Sequence, residues 1–289
     1  MTYMHEHLRI DLSAGKGDQD YLFDDFEHIS EELSGLAGKG LKRVVDMSCR
    51  GLGRDYDYID RMEKAAGIEV LVSTGFYKDP FLPDEVETSS VKKLSALMIK
   101  DIEKGAEGSG RKARIIGAIG TSEHKMTPNE EKVFRAAARA HEKTGVYIST
   151  HTTLGTMGWE QIYFLTSLGV DPEKIIVGQL ELANNEALII RALDEGVSIN
   201  FNSIGKTKHL SDGQRIDFIK TCCGRGYSKQ LLLSMNIKRK SRLKANGGQG
   251  YAYLIDSFLP RLLAEGVKEE TVKNMLGRNP DRIFGEASD

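Results

Sequence analysis

The feature that most constrains the fold is an alternation repeated eight times along the chain: a short apolar run, a turn, then a longer stretch with helical spacing. The short runs are TYMHEHL at 2–8, LKRVVDMS at 41–48, IEVLVSTGF at 68–76, ARIIGAIG at 113–120, VYISTHT at 146–152, KIIVGQL at 174–180, VSINFNS at 197–203 and QLLLSMNI at 230–237. Between them, stretches such as FEHISEELSGLAGKG and NEEKVFRAAARAHEKTG space apolar residues three or four apart and end on glycine. Strands separated by helices return in the same direction, so they pair in parallel. Eight such units in 289 residues fit one closed barrel. An open doubly wound sheet would place a G-x-G-x-x-G turn after its first strand, and HLRIDLSAGKGD lacks that spacing. The expectation is a single α/β domain over 1–289, a (β/α)8 TIM barrel.

Charge and cysteine content narrow the partners. Forty basic against 42 acidic side chains leave a formal charge of −2, with no electrostatic footprint for nucleic acid or an anionic membrane. The basic run IKRKSRLK is short and carries no interleaved aromatics, so it does not read as a nucleic-acid patch. A small-molecule partner is therefore expected. Cys49, Cys222 and Cys223 make a poor disulfide framework, and the start MTYMHEHLRIDLS lacks the layout of a secretory signal. These features lead us to expect a cytoplasmic protein.

Barrel chemistry gathers at the carboxyl ends of the strands and in the loops that follow them. Those ends offer, in chain order, His5 and His7; Asp46 and Cys49; Thr74 and Tyr77; Ala118 and Glu123; His151; Gln179 and Glu181; Asn200 and Asn202; then Asn236. Regular alternation would send His5 and His7, two apart on a strand, to the same face, where both can close on one ion.

An H-x-H on the first strand, GTSE after the fourth, STHT on the fifth, VGQLELANN on the sixth, IGK on the seventh and SMNIKRKSRLKANGGQGY on the eighth resemble the phosphotriesterase family. The likeness is greatest to its bacterial phosphotriesterase homology proteins, within the amidohydrolase superfamily. It extends from about residue 2 to NMLGRNPDRIF. The resemblance implies hydrolase ancestry on ester, lactone or phosphoester substrates. It also implies two divalent metals, usually zinc, at the barrel mouth, and a homodimer by analogy alone. Of the six ligand positions it implies, His5, His7 and His151 are retained. The bridging carboxylate falls on Ala118, a histidine on Gln179 and an aspartate on Asn236, while a further family aspartate falls on Asn202.

Both anionic ligands are among those replaced, which leaves a neutral donor set for two dications. Asn236 stands at the position of the family's catalytic aspartate, and an amide there cannot take the proton of an attacking water. Two readings follow. Three imidazoles and a water describe a mononuclear zinc arrangement, so one zinc is expected in preference to two, with weak hydrolysis at most. Alternatively the chain is a metal-free pseudoenzyme that keeps the pocket for a small anionic ligand.

The resemblance and the barrel geometry together assign ligand contacts to Tyr77, Lys206, Arg242, Lys244 and Asn246. Cys49, His124 and His209 also fall on that face and offer substitute ligands, but the preferred reading makes them an apolar filler and two solvated histidines. Glu123 and Glu181 are expected to orient or cap, and Trp159 to cover the core.

Overall fold

The computed structural model describes residues 1–287. The eight runs become strands β1 Thr2–Glu6, β2 Arg43–Asp46, β3 Glu69–Thr74, β4 Ile115–Gly120, β5 Ile148–His151, β6 Ile175–Gly178, β7 Ser198–Phe201 and β8 Leu231–Leu233. They lie in one sheet in chain order, and every adjacent pair from β1 to β8 is parallel. The barrel closes through side-chain chemistry as well as backbone. Asn236 N–H donates to the His5 carbonyl at 3.1 Å, and the Glu6 carboxylate accepts from the N–H groups of Met235 and Ile237 at 2.5 and 3.1 Å.

The alternation of apolar residues divides the core in two. Met4, Val45, Leu71, Ile115, Ile176 and Leu232 pack inside the barrel, while Tyr3, Val44, Val70, Ile116, Val177 and Leu231 pack outward against the helices. The helix over 128–144 is α4, after α1 Phe26–Ala37, α2 Tyr56–Ala66 and α3 Val91–Glu103. It starts with a reciprocal capping box between Thr127 and Glu130, and stops where Gly145 turns left-handed at φ 71°. After it come α5 Gly158–Ser167, α6 Glu186–Asp194 and α7 Asp212–Gly224, and then the C-terminal helices Leu259–Ala264, Glu269–Leu276 and Arg278–Phe284. Among the described residues, no helix is long and apolar enough to cross a membrane.

Two expectations change in detail. The eighth run leaves the sheet after Leu233, so Asn236 sits in a loop at φ 51° rather than on a strand. Trp159 does not cover the core: it is half-buried, with the Arg191 guanidinium 3.4 Å from its ring centroid.

One glycine is essential to the mouth. Gly155 follows β5 at φ 77°, and a Cβ there would stand 2.0 Å from the Ala183 backbone nitrogen. Gly155→Ala is expected to cost about 3 kcal/mol, because strain from the φ adds to backbone overlap. Gly17→Ala, at φ 63° in open space, should cost only about 1 kcal/mol. Paired thermal melts measure the difference.

Candidate active site at the barrel mouth

Strict alternation from Met4, which points inward, would turn His5 outward. The β1–β2 ladder shifts register between Tyr3 and Glu6, and this irregularity re-aims the chain so that His5 and His7 both line the mouth. Their rings stand edge to face, with centroids 5.4 Å apart. His151, the last residue of β5, completes the wall. The three rings thus meet, as the sequence expects, around a space that also touches Tyr77, Ala118 and Lys238. That space holds only about 10 Å³, the scale of a single water.

Each imidazole already has a neighbour. Nδ1 of His5 faces the Asn202 amide nitrogen at 3.0 Å, and Nδ1 of His7 faces the Ser48 hydroxyl at 3.1 Å. Nε2 of His151 faces the Tyr77 hydroxyl at 3.0 Å. Burial pushes the pKa of all three well below 6.5, and nearby positive charge adds to the shift, with Lys238 contributing in each case. A neutral His151 carries a single ring N–H, so the direction of its hydrogen bond with the Tyr77 hydroxyl follows the ring's tautomer. Burial also holds that phenol above its ordinary range.

The replaced positions are buried and chemically quiet. Ala118 lies in β4 and offers only its carbonyl, which accepts from the Cys49 thiol at 3.2 Å. Burial pushes that thiol up to about 12, so Cys49 is an apolar filler. Neither amide atom of Asn236 makes a hydrogen bond, and its carbonyl accepts from the Lys206 ammonium. Gln179, in the left-handed region at φ 65°, faces a second cavity instead.

The second cavity, about 200 Å³, adjoins the histidines through Lys238. Leu154 and Leu182 supply an apolar side; Lys206, Lys208, Lys238, Arg239 and Arg242 make the rest strongly cationic, with His209 on the rim. None of Lys206, Lys208, Lys238 and Arg242 forms an ion pair among the described residues. Burial, then the neighbouring lysines Lys16 and Lys78, lower Lys238 to about 8, which leaves it protonated at pH 7. Burial and repulsion from Lys238 also lower Lys206, with Glu6 opposing the shift.

Two assigned contacts lie elsewhere. Lys244 lines a different cavity with His28, Glu31, Glu32 and Lys39, and the exposed Asn246 donates to the Lys240 carbonyl. Both belong to the short 3-10 turn Lys244–Asn246, which carries them away from the mouth. His124 is solvated, with 76% of its side chain exposed, and His209 is exposed on the rim of the cationic cavity. Glu123 is also exposed. Glu181 is fully buried, with the Arg215 guanidinium 3.9 Å away. The residue that sequence reasoning passed over is Lys238, whose only trace is its place two residues after Asn236 in a basic run.

A metal-binding donor set can be tested on these residues. Among those described, no group of three or more His, Cys, Asp or Glu side chains could hold an ion. An ammonium lines the same space as the imidazoles. Like unit charges at about 4 Å repel by roughly 4 kcal/mol at an effective dielectric of 20, and a dication doubles that. The residues present do not fit the dinuclear centre.

The titrations carry a prediction. The unfolded histidines take protons at 6.5 while His5, His7 and His151 stay neutral in the fold, so their stabilisation is lost as pH falls below 6.5. Burial raises Glu6 and Glu181 from 4.5 to about 7, so these fold protonated and oppose the trend. The three histidines outnumber the two carboxyls, so stability is expected to fall as pH drops below 6.5. Denaturant melts should show His151→Gln flattening this slope relative to the parent.

Comparison with known proteins agrees with the barrel. The family model described as "Phosphotriesterase family" matches residues 1–284. The "Phosphotriesterase homology protein" of Escherichia coli K12 is 42% identical over 283 residues, covering 98% of this chain and 97% of that one. The "Aryldialkylphosphatase" of Saccharolobus solfataricus is 30% identical, over 98% and 94% of the two chains. The crystal structure of the Escherichia coli protein, complexed with phosphate in its active site, superposes with a TM-score of 0.96 over 98% of each chain. A lactonase from Listeria monocytogenes is 28% identical and superposes at 0.92, over 100% of this chain and 95% of that one.

Proposed function

This chain belongs to the phosphotriesterase family, a family of metal-dependent hydrolases, and from that premise we propose that it binds a small anion at the barrel mouth without a metal. The observation that carries this reading is the cavity walled by Lys206, Lys238 and Arg242, none of which forms an ion pair among the described residues. A phosphate or phosphoester would accept hydrogen bonds from both ammonium groups and from the forked guanidinium. Its charge would also favour the protonated form of Lys206. Leu154 and Leu182 offer contact to an apolar substituent on the ligand. The phosphate in the active site of the 42%-identical Escherichia coli protein agrees with this ligand class. With Ala118 and Asn236 in place of carboxylates, neither position can serve as a base, and the ancestral hydrolysis is expected to be absent.

The second reading is one zinc held by His5, His7 and His151, and it is favoured by the convergence of the three rings on one space. It requires Tyr77 to give up Nε2 of His151 and an ion to settle beside Lys238. Zinc loading, desalting and elemental analysis separate the two. Our reading expects substoichiometric zinc and no lactone or phosphotriester turnover. A stoichiometric ion with zinc-dependent turnover would establish the second reading instead.

A further inference from the structure

We propose that Lys238 is a built-in substitute for the metals, a fixed ammonium placed where the family's dications would otherwise supply positive charge. The inference deepens the anion-binding reading, and its test measures metal uptake, so that failure of one is distinguishable from failure of the other.

Two observations meet at this residue. Lys238 is the cation that lines both the space among His5, His7, His151 and Ala118 and the larger cavity beside it, so its charge is shared between them. Its nitrogen stands over the face of Tyr77, 6.0 Å from the ring centroid, and it forms no ion pair among the described residues.

The replaced ligands fit this substitution. Loss of the carboxylates at 118 and 236 removes the negative charge that dications require, and one ammonium needs less compensation than two dications. Three neutral imidazoles tolerate a single positive charge better than they could hold two ions without a bridging anion. An ammonium also donates hydrogen bonds directly to an anion's oxygens, as a metal would coordinate them. The neutral imidazoles and the Tyr77 hydroxyl then serve as polar walls.

The experiment restores the lost ligands in two backgrounds. Ala118→Glu, Gln179→His and Asn236→Asp are combined with Lys238 retained, and again with Lys238→Met. Zinc uptake is measured by equilibrium dialysis with elemental analysis. The expected result is at least about 100-fold tighter zinc binding when Lys238 is removed, because a dication no longer meets an ammonium. Equal affinities in the two backgrounds, including none in both, would overturn the proposal.

A smaller set of changes guards against misfolding of the combined variants. Ala118→Glu is measured by thermal melt in the parent and in Lys238→Met. If the ammonium occupies the space that residue 118 faces, the new carboxylate pairs with it and is tolerated. In the Lys238→Met background the same substitution should lower Tm by roughly 5 °C more. Equal Tm shifts in both backgrounds would count against it.

Discussion

Lys206→Met is expected to weaken binding of inorganic phosphate by roughly 10- to 100-fold, or about 1.4 to 2.8 kcal/mol. The size follows from where the ammonium sits: half-buried at the rim of the cationic cavity, donating to the Asn236 carbonyl and without a carboxylate partner among the described residues. Removing a solvated surface lysine would change binding by much less. Because Lys206 also braces the loop after β8, the test needs a control on folding. Lys206→Arg keeps the charge and is expected to recover part of the affinity, while a purely structural loss would lower Tm and leave the salt dependence of binding unchanged. Titration calorimetry at two ionic strengths distinguishes these outcomes.

Arg215→Met is expected to destabilise the protein by about 3 to 5 kcal/mol. Arg215 begins four residues into α7 and is fully buried; it donates to Asp212 at 2.8 Å and to the carbonyls of Leu210 and Lys206 at 2.9 Å. The fully buried Glu181 lies 3.9 Å from its Nε. A methionine of similar reach fills the volume but leaves both carbonyls without this donor, and Asp212 and the buried Glu181 without their neighbouring positive charge. For a chain of this size the loss corresponds to a fall in Tm of roughly 6 to 15 °C. Arg215→Met with Asp212→Asn and Glu181→Gln should regain part of it, since the buried charge is then removed with its partner.

The barrel was legible because its eight apolar runs obey two local rules, short β-rich length and intervening helical spacing, which tertiary packing did not override. Capping chemistry was legible for the same reason, as Pro128 and Gly145 at the two ends of α4 illustrate. Convergence of His5, His7 and His151 followed from the barrel rule that strand ends share one face. What alternation alone could not supply was the register shift in β1 that aims His5 inward, since bulges depend on the partner strand.

Loops were the other limit. Lys244 and Asn246 share a segment with Arg242, yet a 3-10 turn sends them to the far side of the loop while Arg242 stays at the cavity. Lys238 was hidden because a lysine in a basic run reads as solvated until the fold places it beside three histidines. Tyr77, assigned to the ligand, lines the space among the histidines, and the hydrogen bond of its hydroxyl to His151 depends on the loop after β3 as a whole.

The most direct test of a metal-free anion site is titration of inorganic phosphate into protein dialysed against a strong chelator. The account predicts a single saturable site whose affinity is unchanged by prior zinc loading and falls as salt rises. Binding that is absent after chelation and appears only when zinc is returned would contradict it.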